Sequence, residues 1–182
     1  MELYARKVTI FDEQIVESFA QEHQQYQTDA MSGDCSLILG TSYQEINSFY
    51  DWYQKVENLN QETKLKKGQV GCTTYLVLTK EKDELIALFD IRHSLAYENG
   101  DVYGHIGVEI RPAQRNKGYY KHILKLAIEA TKEFNISEVV ISCEYDNIVS
   151  KKGIEHVFGK EYESIPRCGT YFLVYKKKME IR

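Results

Sequence analysis

The sequence predicts a mixed α/β fold in which a mostly antiparallel sheet is flanked by helices. Two β-rich runs at 72–79 and 84–95 are separated by the short polar segment KEKD, a spacing typical of a hairpin. A further strand at 102–112 leads directly into a long amphipathic helix. Strand, helix and strand then follow in turn, which indicates one sheet at the centre of a single domain spanning 1–182.

The segment before the hairpin predicts a strand and two helices. The strand covers 2–9, and a helix follows over 12–26 with Asp12 as its N-cap. Ser42 and Glu45 form an S-x-x-E capping box, which predicts that a second helix begins there. The apolar face of that second helix comprises Ile46, Phe49, Tyr50, Tyr53 and Val56.

The C-terminal half alternates between helical and extended patterns. A strand is predicted at 138–145, where consecutive apolar residues indicate burial on both faces. A shorter helix at 146–157 and a last strand at 169–178 complete the order. The long helix before them has an apolar stripe formed by Ile123, Leu124, Ala127, Ile128 and Thr131.

Composition excludes several classes of function. The net charge of −4 and the pI near 5.8 argue against nucleic-acid binding, which usually needs a basic face. No run of about 18 apolar residues is present, so we expect no membrane span. The four cysteines form no C-x-x-C pair and the histidines no H-x-x-x-H pair, so we expect no metal site. We therefore expect a cytoplasmic protein with reduced thiols.

Positive charge is concentrated at one helix start, in the segment RPAQRNKGYYKHIL at 111–124. The first turn of a helix presents unpaired backbone N–H groups and the positive end of its dipole. Gly118 lets the backbone approach a ligand closely, while Arg115, Lys117 and Lys121 add charge. This pattern predicts a phosphate site. A solvated basic turn is the alternative, and neither G-x-G-x-x-G nor G-x-x-x-x-G-K-[ST] is present.

The same segment resembles motif A of the GNAT N-acetyltransferase superfamily. That family's [Q/R]-x-x-G-x-[G/A] is met from Arg115 to Gly118 but ends here in Tyr120. The later D-N-x-x-S at 146–150, between a strand and a helix, resembles the family's next block. The order of elements agrees from about residue 2 to 178, so the resemblance implies a GNAT-like acyl-CoA-binding fold.

By that resemblance, acetyl-CoA is the acyl donor and its pyrophosphate binds the backbone amides of residues 116–121. The strand 108–110 would separate from the strand at 138–145 and pair with the pantetheine arm, while Asn147 and Ser150 would contact the cofactor from the opposite side. The implied cofactor-binding residues are Val108, Glu109, Ile110, Arg115, Asn116, Lys117, Gly118, Tyr119, Tyr120, Lys121, Asn147 and Ser150.

The activity that the resemblance implies is direct transfer of acetyl from acetyl-CoA to a primary amine. A protonated amine must first lose a proton, and His105 and Glu109 are candidate catalytic bases on one face of the strand at 102–112. If His105 is the base, its removal should lower turnover about a hundredfold. As alternatives, His105 is satisfied by sheet neighbours and Glu109 is the solvent-facing partner of a lysine.

The family's usual general acid is a tyrosine about seven residues after the D-N asparagine, a position that Ile154 occupies here. Water or another tyrosine must then protonate the leaving thiolate, with Tyr145, Tyr171 and Tyr175 as candidates. Tyr120 is a second departure from the pattern. A tyrosine at that position must point away from the pyrophosphate or reshape its pocket.

The acceptor is expected to be an amine of a small molecule or peptide. Arg92 and His93 are candidate substrate-binding residues, since an arginine there would suit an acidic group on the acceptor. An ion pair between Arg92 and an acidic residue is the alternative. Two other functions remain open: a non-catalytic acyl-CoA-binding or regulatory protein of the same fold, and a plain interaction domain. A homodimer is one candidate assembly.

Overall fold

The strands form two antiparallel sheets. The computed structural model of this chain describes residues 2–26, 32–46 and 48–179. The first sheet has the order β1-β2-β3-β4 and comprises β1 (Leu3–Lys7), β2 (Cys72–Thr79), β3 (Leu85–Arg92) and β4 (Ile106–Ile110). The second has the order β5-β7-β6 and comprises β5 (Glu138–Glu144), β6 (Glu163–Arg167) and β7 (Thr170–Lys178). The mixed α/β class is confirmed, whereas the single sheet was wrong.

Two hydrophobic cores cover opposite faces of the β2–β3 hairpin. Every residue of both strands is buried. Leu76 and Leu88 point into one core, which also holds Phe19 and Trp52. Because side chains alternate across a strand, their neighbours enter the second core, formed with the long helix and the second sheet. Burial on both faces explains why the hairpin has continuous apolar runs instead of polar alternation.

The helices surround these sheets much as predicted. Their bounds are α1 (Glu13–Gln25), α2 (Ser36–Leu39), α3 (Phe49–Leu59), α4 (Gly100–Tyr103), α5 (Tyr120–Thr131) and α6 (Ile148–Phe158). The predicted apolar stripe of α5 is entirely buried. No helix among the described residues combines the length and apolar character needed to cross a bilayer.

The capping box at Ser42 and Glu45 is present, but it does not begin the second helix. It closes a single 3₁₀ turn, after which Ile46 is extended at φ −94° and ψ 137°. An extended residue cannot continue a helix, so α3 starts again at Phe49. Ser48 is its N-cap, and its hydroxyl accepts a hydrogen bond from the Asp51 N–H at 3.1 Å.

The predicted strand at 102–112 was too long at its start. Residues 100–103 form α4, and Gly104 then turns the chain with φ +73° in a place where a Cβ would overlap the Val140 carbonyl. The His105 N–H donates to the Val140 oxygen at 2.7 Å, which joins this corner to β5. Gly104 and Ile141 form an isolated bridge between the two sheets. Beyond this corner β4 and β5 diverge, which separates the sheets.

Asp12 occupies the predicted N-cap position of α1, but its carboxylate binds elsewhere. It accepts hydrogen bonds from Arg6 at 2.6 and 2.8 Å and from the Thr9 N–H at 2.7 Å. Burial opposes the charged form, yet the hydrogen bonds from Arg6 and Thr9 outweigh it and lower the pKa of Asp12. This carboxylate therefore pins β1 to the start of α1.

Asp12→Asn should lower the free energy of unfolding by about 1.5–3 kcal/mol at pH 7, the range for hydrogen bonds to charged groups. A group with a depressed pKa stabilises the fold above its unfolded pKa, and this contribution is lost as pH falls through its folded pKa. Urea denaturation of parent and variant at pH 7 and pH 3 measures the difference, which should shrink at pH 3. Equal midpoints at pH 7 would contradict this role.

Candidate functional site

A cavity of about 800 Å³ lies between the first turns of α5 and α6; we call it the α5–α6 cavity. β4 forms its floor, and the loop before α5 forms one wall. The structure brings all predicted cofactor-binding residues except Lys117 together around it. These are Val108, Glu109, Ile110, Arg115, Asn116, Gly118, Tyr119, Tyr120, Lys121, Asn147 and Ser150.

The loop before α5 leaves a group of backbone N–H donors without protein acceptors. Asn116 and Gly118 have φ of +61° and +78°, left-handed values that reverse the chain just before the helix. In the described part of the chain, the N–H groups of residues 116–118, 120 and 121 make no hydrogen bond. Unpaired donors at a helix start attract anions, and Gly118 is exposed with no atom within 4 Å of a Cβ built on it.

Arg115, Lys117 and Lys121 were predicted to place their charges around one phosphate site, and the structure gives them three different surroundings. Arg115 donates to Glu109 at 2.8 Å and to the Ile110 carbonyl at 3.2 Å, so part of its charge is neutralised within the cavity wall. Lys117 donates to Gln114 at 2.8 Å and lies beside a neighbouring surface depression instead. Lys121 remains at the α5–α6 cavity, where Lys152 from α6 adds a further positive charge.

One face of α6 also lines the cavity, and its residues were not among the predicted site residues. Val149, Lys152, Gly153 and His156 all face it. Their spacing of three, four and seven residues places them on one side of a helix, and this spacing was the available signal. Asn147 caps that helix, since its Oδ1 accepts the Ser150 N–H at 3.0 Å. The D-N-x-x-S pattern thus sets the start of α6 beside the start of α5.

A second cavity of about 510 Å³ opens where β4 and β5 diverge; we call it the β4–β5 cavity. Its walls come from residues 32–45, the start of β4 and the middle of β5. Five residues line both cavities, so the two spaces meet: Ser32, Val108, Tyr120, Asn147 and Ser150. The result is one cleft that runs from the α5 helix start through the gap between the sheets.

Asp34 holds the 32–45 wall in place. Its carboxylate accepts the N–H groups of Ser36 at 3.0 Å and Tyr43 at 2.8 Å, and its carbonyl accepts the Trp52 indole N–H at 3.1 Å. The Cys35 N–H donates to Asp90 at 3.0 Å, which fastens the same wall to β3. These buried contacts fix one side of the β4–β5 cavity to the protein core.

Tyr120 points into the space between α5 and α6, toward Gly153. A Cβ at residue 153 would overlap the Tyr120 ring, so the glycine makes room for the tyrosine. The side chain therefore turns away from the 116–118 loop and lies where the two cavities meet. The sequence predicted that this tyrosine either points away from the pyrophosphate or reshapes its pocket. In the structure the side chain points away from the 116–118 loop and lines the cleft where the two cavities meet.

His105 hydrogen-bonds a neighbouring strand, as expected if it is a structural residue and not the catalytic base. It lies one residue before β4 and is only 6% exposed. Its Nδ1 accepts the Val140 N–H at 3.0 Å. Burial, reinforced by nearby Arg92, lowers the pKa of His105 to about 4 and keeps the ring neutral. The ring lines neither cavity.

Glu109 faces the α5–α6 cavity. It forms an ion pair with an arginine, whereas the predicted alternative to a catalytic role was an ion pair with a lysine. Its carboxylate binds Arg115 at 2.8 Å, with His23 Nε2 at 4.0 Å. Burial raises the pKa of Glu109, an effect that Arg115 and the Ser32 N–H oppose. Glu109 lies outside the β4–β5 cavity. A catalytic role for it stays a prediction.

The two predicted substrate-binding residues are not brought together. Arg92 lines the β4–β5 cavity but pairs with Asp90 at 3.1 Å and donates to the Gly104 carbonyl at 3.2 Å. The ion-pair alternative therefore describes it better. His93 stacks on Phe134 at 3.8 Å between ring centroids and contacts Thr73, and it lines neither cavity. This placement gives no support to substrate binding by His93.

The position expected to hold a catalytic tyrosine belongs to the core. Ile154 is fully buried with the apolar residues of β5 and β7. Of the other candidates, Tyr145 and Tyr171 are exposed and Tyr175 is buried, and none of the three lines either cavity. A polar residue at position 154 would face that core, which accounts for the isoleucine.

One cluster of potential metal ligands lies beneath the 32–45 wall. The ligand atoms of Cys35, Cys72 and Asp90 lie within 4.8 Å of one another, and all three residues are buried. The Asp90 carboxylate is already engaged by Arg92 and by the Cys35 N–H. Burial raises the pKa of both thiols, which favours their protonated form. The absence of a metal site stays a prediction.

Comparison with known proteins relates this fold to acetyltransferases. No protein-family model matches the sequence, and no curated protein matches it. Among solved structures, the GNAT domain of S. lividans PAT is 12% identical with a TM-score of 0.56, over 95% of this chain and 89% of that one. Spermidine N-acetyltransferase from Vibrio cholerae, in complex with CoA and spermine, is 10% identical with a TM-score of 0.59, over 97% and 95%.

A third solved structure is aminoglycoside acetyltransferase AAC(6')-Ib in complex with coenzyme A and kanamycin. It is 12% identical with a TM-score of 0.61, over 97% of this chain and 95% of that one. Identities this low show the fold alone. The likeness extends over nearly the whole chain, so the GNAT-like fold expected from the sequence is confirmed.

Proposed function

We propose that this chain, which has the GNAT acetyltransferase fold, transfers an acetyl group from acetyl-CoA directly to a primary amine of a small molecule or peptide. The observation that carries the proposal is the continuous cleft. One end holds the unpaired N–H groups of residues 116–118, 120 and 121, and the other opens between β4 and β5. Donor phosphates and an acceptor amine thus have separate, connected places.

The donor would bind through backbone groups for most of its length. The N–H groups of the 116–121 loop and the charges of Lys121 and Lys152 suit its phosphates. β4 pairs with β3 on one side only, so residues 108–110 present an unpaired strand edge along the cavity floor. Such an edge can hydrogen-bond the amides of an extended pantetheine arm. Arg115 would position the edge through its contacts with Glu109 and Ile110.

The acceptor side favours an amine without an acidic group. The charge of Arg92 is offset by Asp90, and Glu45 lines the same cavity with a carboxylate. Hydrogen bonds from Ser42 and Thr41 lower the pKa of Glu45, so it stays charged at neutral pH. Orientation of the amine beside the thioester would contribute to the rate enhancement. Solvent water is the first carrier of the amine proton, because neither His105 nor Glu109 lines this cavity.

Acetyl-CoA should raise the melting temperature. A ligand that binds only the native state stabilises it by about 2.7 kcal/mol at one hundred times its Kd. For a domain of this size, that corresponds to a rise of about 5–10 °C. A thermal melt with and without millimolar acetyl-CoA measures the shift. S-acetyl-N-acetylcysteamine, a thioester without phosphates, should give no comparable rise. An unchanged melt with acetyl-CoA would overturn the cofactor assignment.

A non-catalytic acyl-CoA-binding protein is the second candidate, favoured by the isoleucine at position 154. Thiol release from acetyl-CoA, screened over amines, amino acids, peptides and polyamines with mass detection, separates the two. Acceptor-dependent release with an acetylated product supports the enzyme. Binding without release for every amine class supports the non-catalytic protein, and release without an acceptor shows hydrolysis only.

A further inference from the structure

Tyr120 is the one described tyrosine that lines both the α5–α6 cavity and the β4–β5 cavity. Resting on the proposed function, we propose that Tyr120 is a catalytic residue: its hydroxyl protonates the thiolate that leaves when acetyl-CoA gives up its acetyl group. The donor enters from the α5 helix start and the acceptor from the gap between the sheets. The thioester must then lie where the two cavities meet, which is where this side chain lies.

Neighbouring residues hold the Tyr120 ring in one place. It begins the first turn of α5, so its backbone is fixed by the helix. Its ring packs against Gly153 of α6, where a Cβ would overlap it. Ser150 of the same helix and Cys143 of β5 lie close by. Contacts on both helices and on β5 restrict the side chain, as an acid aimed at one sulfur atom requires.

The surroundings keep the Tyr120 phenol protonated. Burial raises its pKa, and Cys143 and Glu109 act in the same direction, while Ser150 opposes them. The hydroxyl is therefore a proton donor at neutral pH and cannot act as the base. A protonated phenol is the form that can donate a proton to the leaving sulfur.

The transfer conserves atoms and electrons and starts from the neutral amine. The amine nitrogen forms a bond to the acetyl carbon and loses one proton to water. The bond between the acetyl carbon and sulfur breaks, and its electron pair goes to sulfur. Sulfur takes the Tyr120 hydroxyl proton, and the phenolate recovers a proton from solvent through the open cleft. The products are the acetylated amine and CoA thiol, with no net redox change.

The side-chain exchange between the two helices fits this assignment. The resemblance places a small residue at position 120 and a tyrosine at 154. Here the tyrosine is at 120, Gly153 faces it, and Ile154 points into the core. The Tyr120 side chain therefore lies in the gap between α5 and α6.

Tyr120→Phe should lower kcat about a hundredfold, the low end for acid–base catalysis. The substitution keeps the ring that packs against Gly153, so the melting temperature and its rise with acetyl-CoA should stay unchanged. Tyr75→Phe is the control, because it removes one tyrosine hydroxyl that lies in the core away from both cavities. It should leave kcat unchanged.

A second measurement separates an acid from a packing residue. Site-specific 3,5-difluorotyrosine at position 120 makes the phenol more acidic with almost the same shape. As pH rises, kcat should then fall at a lower pH than in the parent. Parent-like kcat in Tyr120→Phe, or loss of the acetyl-CoA melting shift there, would overturn the assignment of Tyr120 alone. A parent protein that acetylates no amine would instead overturn the proposed function.

Discussion

Gly118→Glu is expected to abolish the acetyl-CoA melting shift and to lower acetyl transfer by at least a hundredfold. The exposed backbone of Gly118 lies among N–H groups that have no protein acceptor. A glutamate adds a negative charge where the phosphates of the donor should bind, and its side chain occupies the approach to those donors. Thermal melts with acetyl-CoA and a turnover assay measure both effects.

Gly68→Glu is the matched control for that variant. Gly68 is exposed, has φ +84° and has no atom within 4 Å of a built Cβ, as at Gly118 with φ +78°. Both glutamates therefore carry the same strain of about 1–2 kcal/mol for a left-handed residue. Gly68→Glu should lose stability to the same degree while keeping the acetyl-CoA shift. If Gly118→Glu kept it too, the phosphates would bind elsewhere.

The second large effect is a loss of stability between about pH 6.5 and pH 4. Burial, as the main cause, lowers the pKa of His23, His93 and His105 to about 4 each. In this range the unfolded chain binds protons that the folded chain excludes, so stability falls as pH falls. Each histidine contributes a slope of about 1.4 kcal/mol per pH unit.

Two buried carboxyls have raised pKa values and act in the opposite direction. Burial raises the pKa of Asp34 and of Glu109, so the folded chain takes up their protons first on acidification. Asp12 and Glu22 have lowered pKa values and act in the same direction as the histidines, so we expect a net loss of stability. Urea denaturation at intervals from pH 7 to pH 4 measures the slope. A flat profile would show that the histidines are accessible to protons in the folded protein.

His105→Gln connects this slope to the predicted catalytic role. A glutamine oxygen can accept the Val140 N–H but does not titrate, so the slope should decrease by about 1.4 kcal/mol per pH unit. Turnover per folded molecule should stay near that of the parent, because the Nδ1 of His105 is occupied and its ring is outside the cleft. A hundredfold loss of turnover with unchanged stability would restore His105 as the base.

Local sequence patterns predicted most of the helices and strands of this protein. The hairpin at 72–92 and the amphipathic α5 depend on neighbours a few residues away, and such neighbours are visible in a sequence. The loop with Gly118 is equally local, since chain reversal before a helix requires residues that accept positive φ. The sequence therefore located the loop with unpaired N–H groups at the start of α5, where phosphate binding stays a prediction.

Other features depend on contacts between residues that are distant in the chain. The spacing of apolar residues along the sequence does not predict those contacts. His105 looked available for catalysis, yet the Val140 N–H, 35 residues away, occupies it. Arg92 looked free for a substrate but packs beside Asp90 on its own strand, where burial makes pairing necessary. The sequence showed only that position 154 lacks the tyrosine of the resembled family. The structure shows that this position belongs to the hydrophobic core, which favours an isoleucine.

By itself, then, the sequence determined the fold class, the order of most elements and the helix start suited to phosphates, because each follows from short-range backbone preferences and apolar spacing. Only the tertiary structure decided that the sheet divides at Gly104, that the two cavities join, and that Tyr120 stands at their junction against Gly153. Those outcomes rest on steric fit and hydrogen bonds between segments distant in the chain, which act only after the segments have packed together.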